Sequence, residues 1–319
     1  MKQLSERRAK YWHRSFFNLQ KTGDKKDAIL FTIPTTIAFV ALIVIILACA
    51  LAPVIAPYSP TQQILSDSLE LPSADHLLGA DKVGRDVFTR VLYGGRTTLL
   101  SALGVVIFSI VFGVPLGLIS GYYGGKVDAI IGRVCDVILS FPSLLLAFVF
   151  VAGFGRNLFN SVIALGIVYL PMLIRLIRSL TLVEKNKIYV EAAVSIGYSD
   201  ARIMFLHILP NCISTATVQL TLDLAYAILD LAAMSFLGLG VQPPTADWGQ
   251  MLDEGREYIL MNPYLALAPG AVIIITVVAI NIFSDGLHQY FEPTQRRLSS
   301  FEKVEKKEAK LAAAAQTAE

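Results

Sequence analysis

The chain alternates between long apolar runs and shorter polar stretches. A helix needs about 20 mostly apolar residues to cross the bilayer core. Six runs meet this length, near 30–56, 98–120, 131–152, 159–177, 212–238 and 264–286. Because backbone groups find no water in the hydrocarbon region, a spanning segment must satisfy its own hydrogen bonds, as a helix does. The pattern therefore predicts an all-α membrane protein with about six transmembrane helices.

The polar stretches define how the chain is organised. Gly-rich stretches beginning at Ile119 and Gly153 are typical of turns between neighbouring helices. Prolines inside the runs can kink a helix but are common in membrane helices; they are Pro115, Pro142 and Pro171. We predict an N-terminal arm, a first span with an outer segment, a main transmembrane domain and a cytoplasmic tail, at 1–29, 30–96, 97–287 and 288–319.

Composition and charge support a membrane location and assign an orientation. Only 16% of residues are charged, against about a quarter in soluble domains, and the mean hydropathy is +0.59. With the N-terminus inside, 21 of the 27 Lys and Arg residues fall in inner segments. This bias predicts that both termini lie in the cytoplasm. The cysteines, which lie far apart in or beside apolar runs, are expected to be small buried residues.

The N-terminal arm combines aromatic and basic residues. Tyr11, Trp12, Phe16 and Leu19 would share one helical face, among basic side chains. This indicates either a helix lying on the inner leaflet or a disordered basic arm.

The stretch EAAVSIGYSDARIMFLHILPN, at 191–211, is a polar segment between two apolar runs. Its alanines favour a short helix over 189–196, which Gly197 can end in a left-handed conformation. Ser199 is suited to N-cap a second helix with Asp200 in its first turn. We predict a rigid helix–turn–helix on the cytoplasmic side, suited to docking into a partner.

This stretch resembles the EAA loop of ABC importer permeases, in which EAA is followed by three residues, Gly, nine residues and I-x-L-P. Pro210, which also disfavours helix at the residue before it, fits that spacing, although His207 occupies the isoleucine position. LGADKVGRDVFTRVLYGGRTTL from Leu78 and FLGLGVQPPTADWGQML from Phe236 resemble two further signatures of the dipeptide/oligopeptide/nickel family, C-type subunit. The residues assigned to this candidate coupling loop are Glu191, Ala192, Ala193, Gly197, Ser199, Asp200, His207, Leu209 and Pro210.

The resemblance implies a type I ABC importer permease fold and a set of partners. These are a second, homologous permease subunit, two cytoplasmic ABC ATPases that bind ATP and Mg²⁺, and an extracytoplasmic substrate-binding protein. The loop at 185–211 would couple ATPase closure to the membrane helices. The chain itself has no GxxxxGK[ST] phosphate loop, since its single Gly-Lys pair, at 125–126, is followed by Val127. We therefore expect a transport subunit with no cofactor of its own and no nucleic-acid partner.

The substrate and the energy source remain open at this stage. Peptide is the first choice for the substrate, because HILPN and the signature from Phe236 resemble the peptide branch. Nickel or a metal chelate is the alternative within the same family. An ion-coupled secondary transporter is a third candidate, although no inverted repeat is visible.

Four polar residues inside the runs are candidates for either pore lining or packing. Ionisable groups in a bilayer are costly and usually face a bundle or a watery path. Hydrogen bonding between helices explains them at least as well as contact with a cationic substrate group. They are Asp136, Gln219, Asp223 and Asp230, of which the last two share a helical face.

Three further expectations concern residues outside these groups. The segment 84–95 is predicted to be an outer-surface helix that leads into the second span and serves as a structural clamp. Trp248 is expected to anchor an acidic outer loop at the interface. No nucleophile–base or metal-ligand spacing is present, and the histidines are expected at surfaces or interfaces; they are His13, His76, His207 and His288.

Overall fold

The computed structural model describes residues 33–291. Within that range the regular structure is helical, apart from one isolated bridge between Ala80 and Asp86. A 3₁₀ turn lies at Leu65–Asp67 and a π-helical turn at Met204–Ile208. The helices are α1 (Ile33–Ala50), α2 (Ala52–Ile55), α3 (Val87–Tyr123), α4 (Gly125–Leu139), α5 (Ser143–Phe154), α6 (Leu158–Glu184), α7 (Ile188–Ser195), α8 (Asp200–Ile203), α9 (Leu209–Phe236), α10 (Trp248–Arg256) and α11 (Tyr264–Phe291).

The helices confirm the predicted class of fold. α1, α3, α6, α11 and the continuous stretch Asp200–Phe236 are each long and apolar enough to cross a membrane. α4 and α5 together would make a sixth crossing. The described part of the chain is therefore an all-α membrane protein with five or six spans. The arm at 1–29 and all but the first residues of the predicted tail lie outside the described range.

The third apolar run differs from the prediction. A single helix over 131–152 is wrong, because α4 and α5 meet at an angle of 88°. The break falls at Pro142, whose ring disfavours helical geometry at the preceding Phe141. One side of the separate helix α4 is polar, and its Asp128 forms an ion pair with Arg178 of α6.

The longest packed interface joins α3 to α6. Glycines four residues apart on α3 let the two backbones approach closely. A Cβ atom on Gly117 would lie 2.7 Å from Ile177 Cβ and 2.9 Å from the Ile174 carbonyl oxygen, and one on Gly121 would lie 2.8 Å from the Arg178 carbonyl oxygen. These contacts fix the spacing of the two helices around Gly117 and Gly121.

The segment 84–95 is not a separate surface helix. α3 begins at Val87 with Asp86 as its N-cap and runs without interruption into the second span. Arg90 is fully buried, and its Nη2 donates to Glu254 Oε2 of α10 at 3.0 Å. Arg85 donates to the same carboxylate and to Asp81. The reading of this segment as a clamp agrees with these contacts, since the ion pairs join the start of α3 to α10.

Two residues expected near a surface are buried. Trp248 is completely enclosed, and its Nε1 donates to the Val91 carbonyl oxygen at 2.9 Å, so it packs α10 onto α3 instead of anchoring a loop. His76 is 1% exposed and lies between the carboxylates of Asp67 and Asp86. The Trp248 N–H is satisfied by a backbone carbonyl 157 residues away, and the His76 ring nitrogens face two carboxylates, which offsets part of the cost of burial.

Candidate coupling loop and membrane carboxylates

The loop at 185–211 is a short helix–turn–helix built on a packed apolar base. Val190 and Ala193 of α7 and Ile203 of α8 are buried in one cluster with Leu118 of α3 and Ile177 of α6. Because these contacts come from two membrane helices, the loop is held as a rigid extension of the bundle. The predicted helices are present as α7 and α8.

Gly197 occupies the turn for a conformational reason. Its φ is +86°, and no heavy atom lies within 4 Å of where a Cβ would stand. The Gly197 N–H donates to Val194 O at 2.9 Å, and the Tyr198 N–H donates to Ala193 O at 3.2 Å. These two hydrogen bonds end α7 in the pattern that a left-handed residue makes at a helix C-terminus. Space is available for a side chain here, but the backbone conformation disfavours one.

Ser199 and Asp200 begin the second helix, with one difference from expectation. Ser199 is at the N-cap position, but its side chain makes no capping bond. Asp200 lies in the first turn and accepts a hydrogen bond from Tyr122 Oη at 3.0 Å. This contact connects the loop to the last turn of α3.

The helix is not interrupted at the end of the loop. Leu209 is helical and Pro210 lies within a continuous helical stretch, so the expectation that helix is disfavoured at Leu209 is wrong. A membrane helix continues through a proline where neighbouring groups satisfy the carbonyls that the proline leaves without a donor. The π turn just before it shifts the bonding, with the Leu209 N–H donating to Met204 O. The Asn211 side chain donates to His207 O at 2.7 Å and covers a further carbonyl.

Polar contacts brace both ends of the loop. Glu184 Oε2 accepts from Tyr189 Oη at 2.7 Å, and Asn211 Nδ2 donates to the same hydroxyl. Burial and the nearby Glu184 carboxylate raise the pKa of Tyr189 to about 12. His207 Nδ1 donates to Arg202 O at 3.2 Å, which gives the residue in the isoleucine position of the motif a structural contact.

The outward face of the loop is apolar with one acid. Glu191 and Ala192 are exposed, whereas Ala193 faces the buried cluster. Ile188 and Ile196 are 83% and 71% exposed. Exposed apolar side chains on a rigid base favour contact with a partner.

The four candidate polar residues of the spans each contact another side chain. Asp136 of α4, which is largely exposed, accepts from Arg175 of α6 at 2.6 Å. Gln219 Nε2 donates to Asp223 Oδ1 at 2.8 Å. Tyr169 Oη of α6 donates to Asp230 Oδ2 of α9 at 2.6 Å. These contacts favour packing over pore lining.

Asp223 keeps one oxygen without a protein partner. The residue is 7% exposed, and among residues 33–291 its Oδ2 has no hydrogen-bond donor. Its placement inside the bundle agrees with the high cost of a carboxylate facing lipid.

Sequence reasoning missed the ion pairs around Arg90. Asp81, Arg85 and Arg90 lie in the motif stretch that begins at Leu78, whereas Glu254 lies two residues beyond the end of the stretch that begins at Phe236. Because these residues are charged, the sequence suggested that they are exposed to solvent. A signal was available in the excess of bases over acids in the stretch from Leu78 and in the acidic character of the loop that contains Trp248, but nothing local indicated that they meet.

Comparison with known proteins agrees with this arrangement. Residues 113–297 match the family described as "Binding-protein-dependent transport system inner membrane component", and residues 36–72 match the "N-terminal TM domain of oligopeptide transport permease C".

Curated relatives cover most of the chain. The di/tripeptide transport system permease protein DppC of Pseudomonas aeruginosa is 43% identical, over 78% of this chain and 84% of its own length. The dipeptide transport system permease protein DppC of Alkalihalophilus pseudofirmus is 41% identical, over 82% and 86%. The glutathione transport system permease protein GsiD of Pectobacterium atrosepticum is 42% identical, over 74% and 79%.

A solved structure supports the fold alone. A chain of the MetNI methionine ABC transporter, in an inward-facing conformation, aligns with a TM-score of 0.51 and 19% identity, over 63% of this chain and 96% of the other. Together with the family match and the relatives, this shows a type I importer permease fold. The chain belongs to the binding-protein-dependent transport system inner membrane components, as an ABC importer permease of the dipeptide/oligopeptide branch.

Proposed function

We propose that the chain forms half of a peptide translocation pathway and docks a cytoplasmic ATPase through the loop at 185–211. A second, homologous permease would complete the pathway, a binding protein would deliver the substrate from outside, and two ATPases would bind ATP and Mg²⁺. Both termini would lie in the cytoplasm. Family membership favours this over an ion-coupled transporter.

The observation that carries the coupling role is the rigid base under the loop. α7 and α8 share one apolar cluster with α3 and α6, and Tyr122 connects α3 directly to Asp200. A push on the exposed face would therefore move membrane helices instead of bending the loop. Packed interfaces of this kind switch between discrete arrangements.

Peptide is the proposed substrate class because of the relatives. They are named for di/tripeptides, dipeptides and glutathione, which is itself a small peptide. The test is uptake of labelled dipeptide and of nickel in a strain that lacks only this subunit. Restored dipeptide uptake on complementation supports the proposal, and restored nickel uptake alone would replace peptide with metal.

The coupling role is tested with Gly197→Asp in the assembled transporter. A Cβ at this φ costs on the order of 1 kcal/mol, and the carboxylate adds a charge to the docking face. We expect an inserted permease that loses ATPase subunits, or loses the stimulation of ATP turnover by loaded binding protein.

Gly238→Asp is the matched control. Gly238 also has a positive φ, +72°, and open space around its Cβ position, but it lies outside the loop. Strain and charge are thus equal, and only the location differs. If both variants assemble, hydrolyse ATP and transport like the parent, the loop is not the coupling element.

A further inference from the structure

The segment between the first two spans gathers three potential metal ligands. One ligand atom each from Asp67, Glu70 and His76 lies within 4.8 Å of the others. His76 is buried, whereas the two acids are partly exposed, which leaves an entry path for an ion. Among residues 33–291, no side chain forms a hydrogen bond or ion pair with the Glu70 carboxylate, so it is free to serve as a ligand.

Both ring nitrogens of His76 face carboxylate oxygens, and a neutral imidazole can donate to only one of them. A neutral imidazole has one N–H and one lone pair. Asp86 Oδ1 lies 3.0 Å from Nδ1, and the other Asp86 oxygen is held by the Thr89 N–H at 2.7 Å. With the proton on Nδ1, the Nε2 lone pair faces Asp67 Oδ2, which is also an acceptor. A cation between these two atoms would satisfy both of them.

The distance between the two acceptors favours a cation. A charge-assisted N–H···O bond is about 2.7–2.9 Å long, whereas Nε2 and Oδ2 are 3.4 Å apart. Two ligands that each lie about 2.0–2.1 Å from a tetrahedral Zn²⁺ are separated by roughly 3.3–3.4 Å. The competing occupant is a second proton on the imidazole, which would let both ring nitrogens donate, to Asp86 and to Asp67.

We propose that Asp67, Glu70 and His76 bind a divalent transition-metal ion, Zn²⁺ in the first instance. A carboxylate that holds the far nitrogen of a metal-bound histidine is a recurring arrangement, and Asp86 is placed to do this. Three protein ligands leave a fourth position for water. Since Asp86 also caps α3, the metal would tie the 3₁₀ turn at Leu65–Asp67 to the start of the second span.

The test is a Zn²⁺ titration of the full-length chain in lipid nanodiscs, prepared without a polyhistidine tag and first stripped with a chelator. We expect stoichiometric binding, a higher melting temperature with Zn²⁺, and the visible spectrum of a tetrahedral site when Co²⁺ replaces it. Asp67→Asn and Glu70→Gln should each weaken binding by about tenfold or more, at least the loss that an outer-shell change causes.

Asp75→Asn is the matched control, because Asp75 is an exposed acid of the same segment outside the ligand set. It should bind Zn²⁺ like the parent. Absence of stoichiometric binding by the parent would overturn the site. Equal affinity in all three variants would overturn it as well. Melting temperatures without Zn²⁺ confirm that each variant is folded.

Discussion

Asp230 shows at the residue scale how a carboxylate is kept inside the bundle. Its Oδ2 accepts from Tyr169 across the α6–α9 interface, at 2.6 Å. We predict that Tyr169→Phe lowers the free energy of unfolding by about 1–2 kcal/mol, because it removes an interhelical bond and leaves a buried acceptor unpaired. Thermal unfolding in detergent measures the change.

Tyr226→Phe is the control for that prediction. Tyr226 lies on the same helix as Asp230, is exposed, and has no hydrogen bond among the described residues. The variant should unfold like the parent. Equal melting temperatures for both variants would show that the Tyr169–Asp230 bond contributes nothing measurable.

The α3–α6 pair illustrates packing at the scale of elements. A methyl group on Gly117 would meet both a side chain and a backbone carbonyl of α6, and the backbone cannot move aside without separating the helices. Gly117→Ala is therefore expected to destabilise the protein by about 1–3 kcal/mol, the usual cost of overpacking. Unfolding of the purified chain in detergent tests this.

Gly132→Ala is the control, because there is open space around the Cβ position of Gly132. No heavy atom lies within 4 Å of a Cβ built at Gly132 of α4, so alanine should be neutral or stabilising, by up to about 1 kcal/mol from helix propensity. A Gly117 variant as stable as the Gly132 variant would mean that the helices separate at no cost.

At the scale of the whole molecule, the proposed orientation can be tested directly. We predict that Thr245→Cys reacts with a membrane-impermeant maleimide in intact cells, whereas Asp200→Cys reacts only after permeabilisation, as the distribution of Lys and Arg requires. Both positions are exposed, unlike the neighbouring Asp247, which is buried as the N-cap of α10.

The three native cysteines are buried and unpaired, so the parent chain provides a low background for this labelling. Their burial confirms the expectation from sequence. Reaction of Asp200→Cys in intact cells would show that the topology is the reverse of the predicted one. It would also contradict the proposal that the loop contacts a cytoplasmic ATPase.

The sequence by itself determined the class of fold, the approximate spans and the helix–turn–helix of the loop. These depend on local properties: the length of an apolar run, the propensity of alanine, and the left-handed conformation that suits Gly197. Each can be judged from neighbouring residues, because a membrane helix bonds its own backbone.

Only the tertiary structure decided which polar residues are buried and which prolines break a helix. Arg90 and Glu254 are 164 residues apart, so no local pattern could show that each removes the cost of burying the other. Pro142 separates two helices, whereas Pro115 and Pro171 lie within continuous ones. Burial of a charge depends on a partner, and a helix continues through proline only where neighbouring groups satisfy or shield the freed carbonyl.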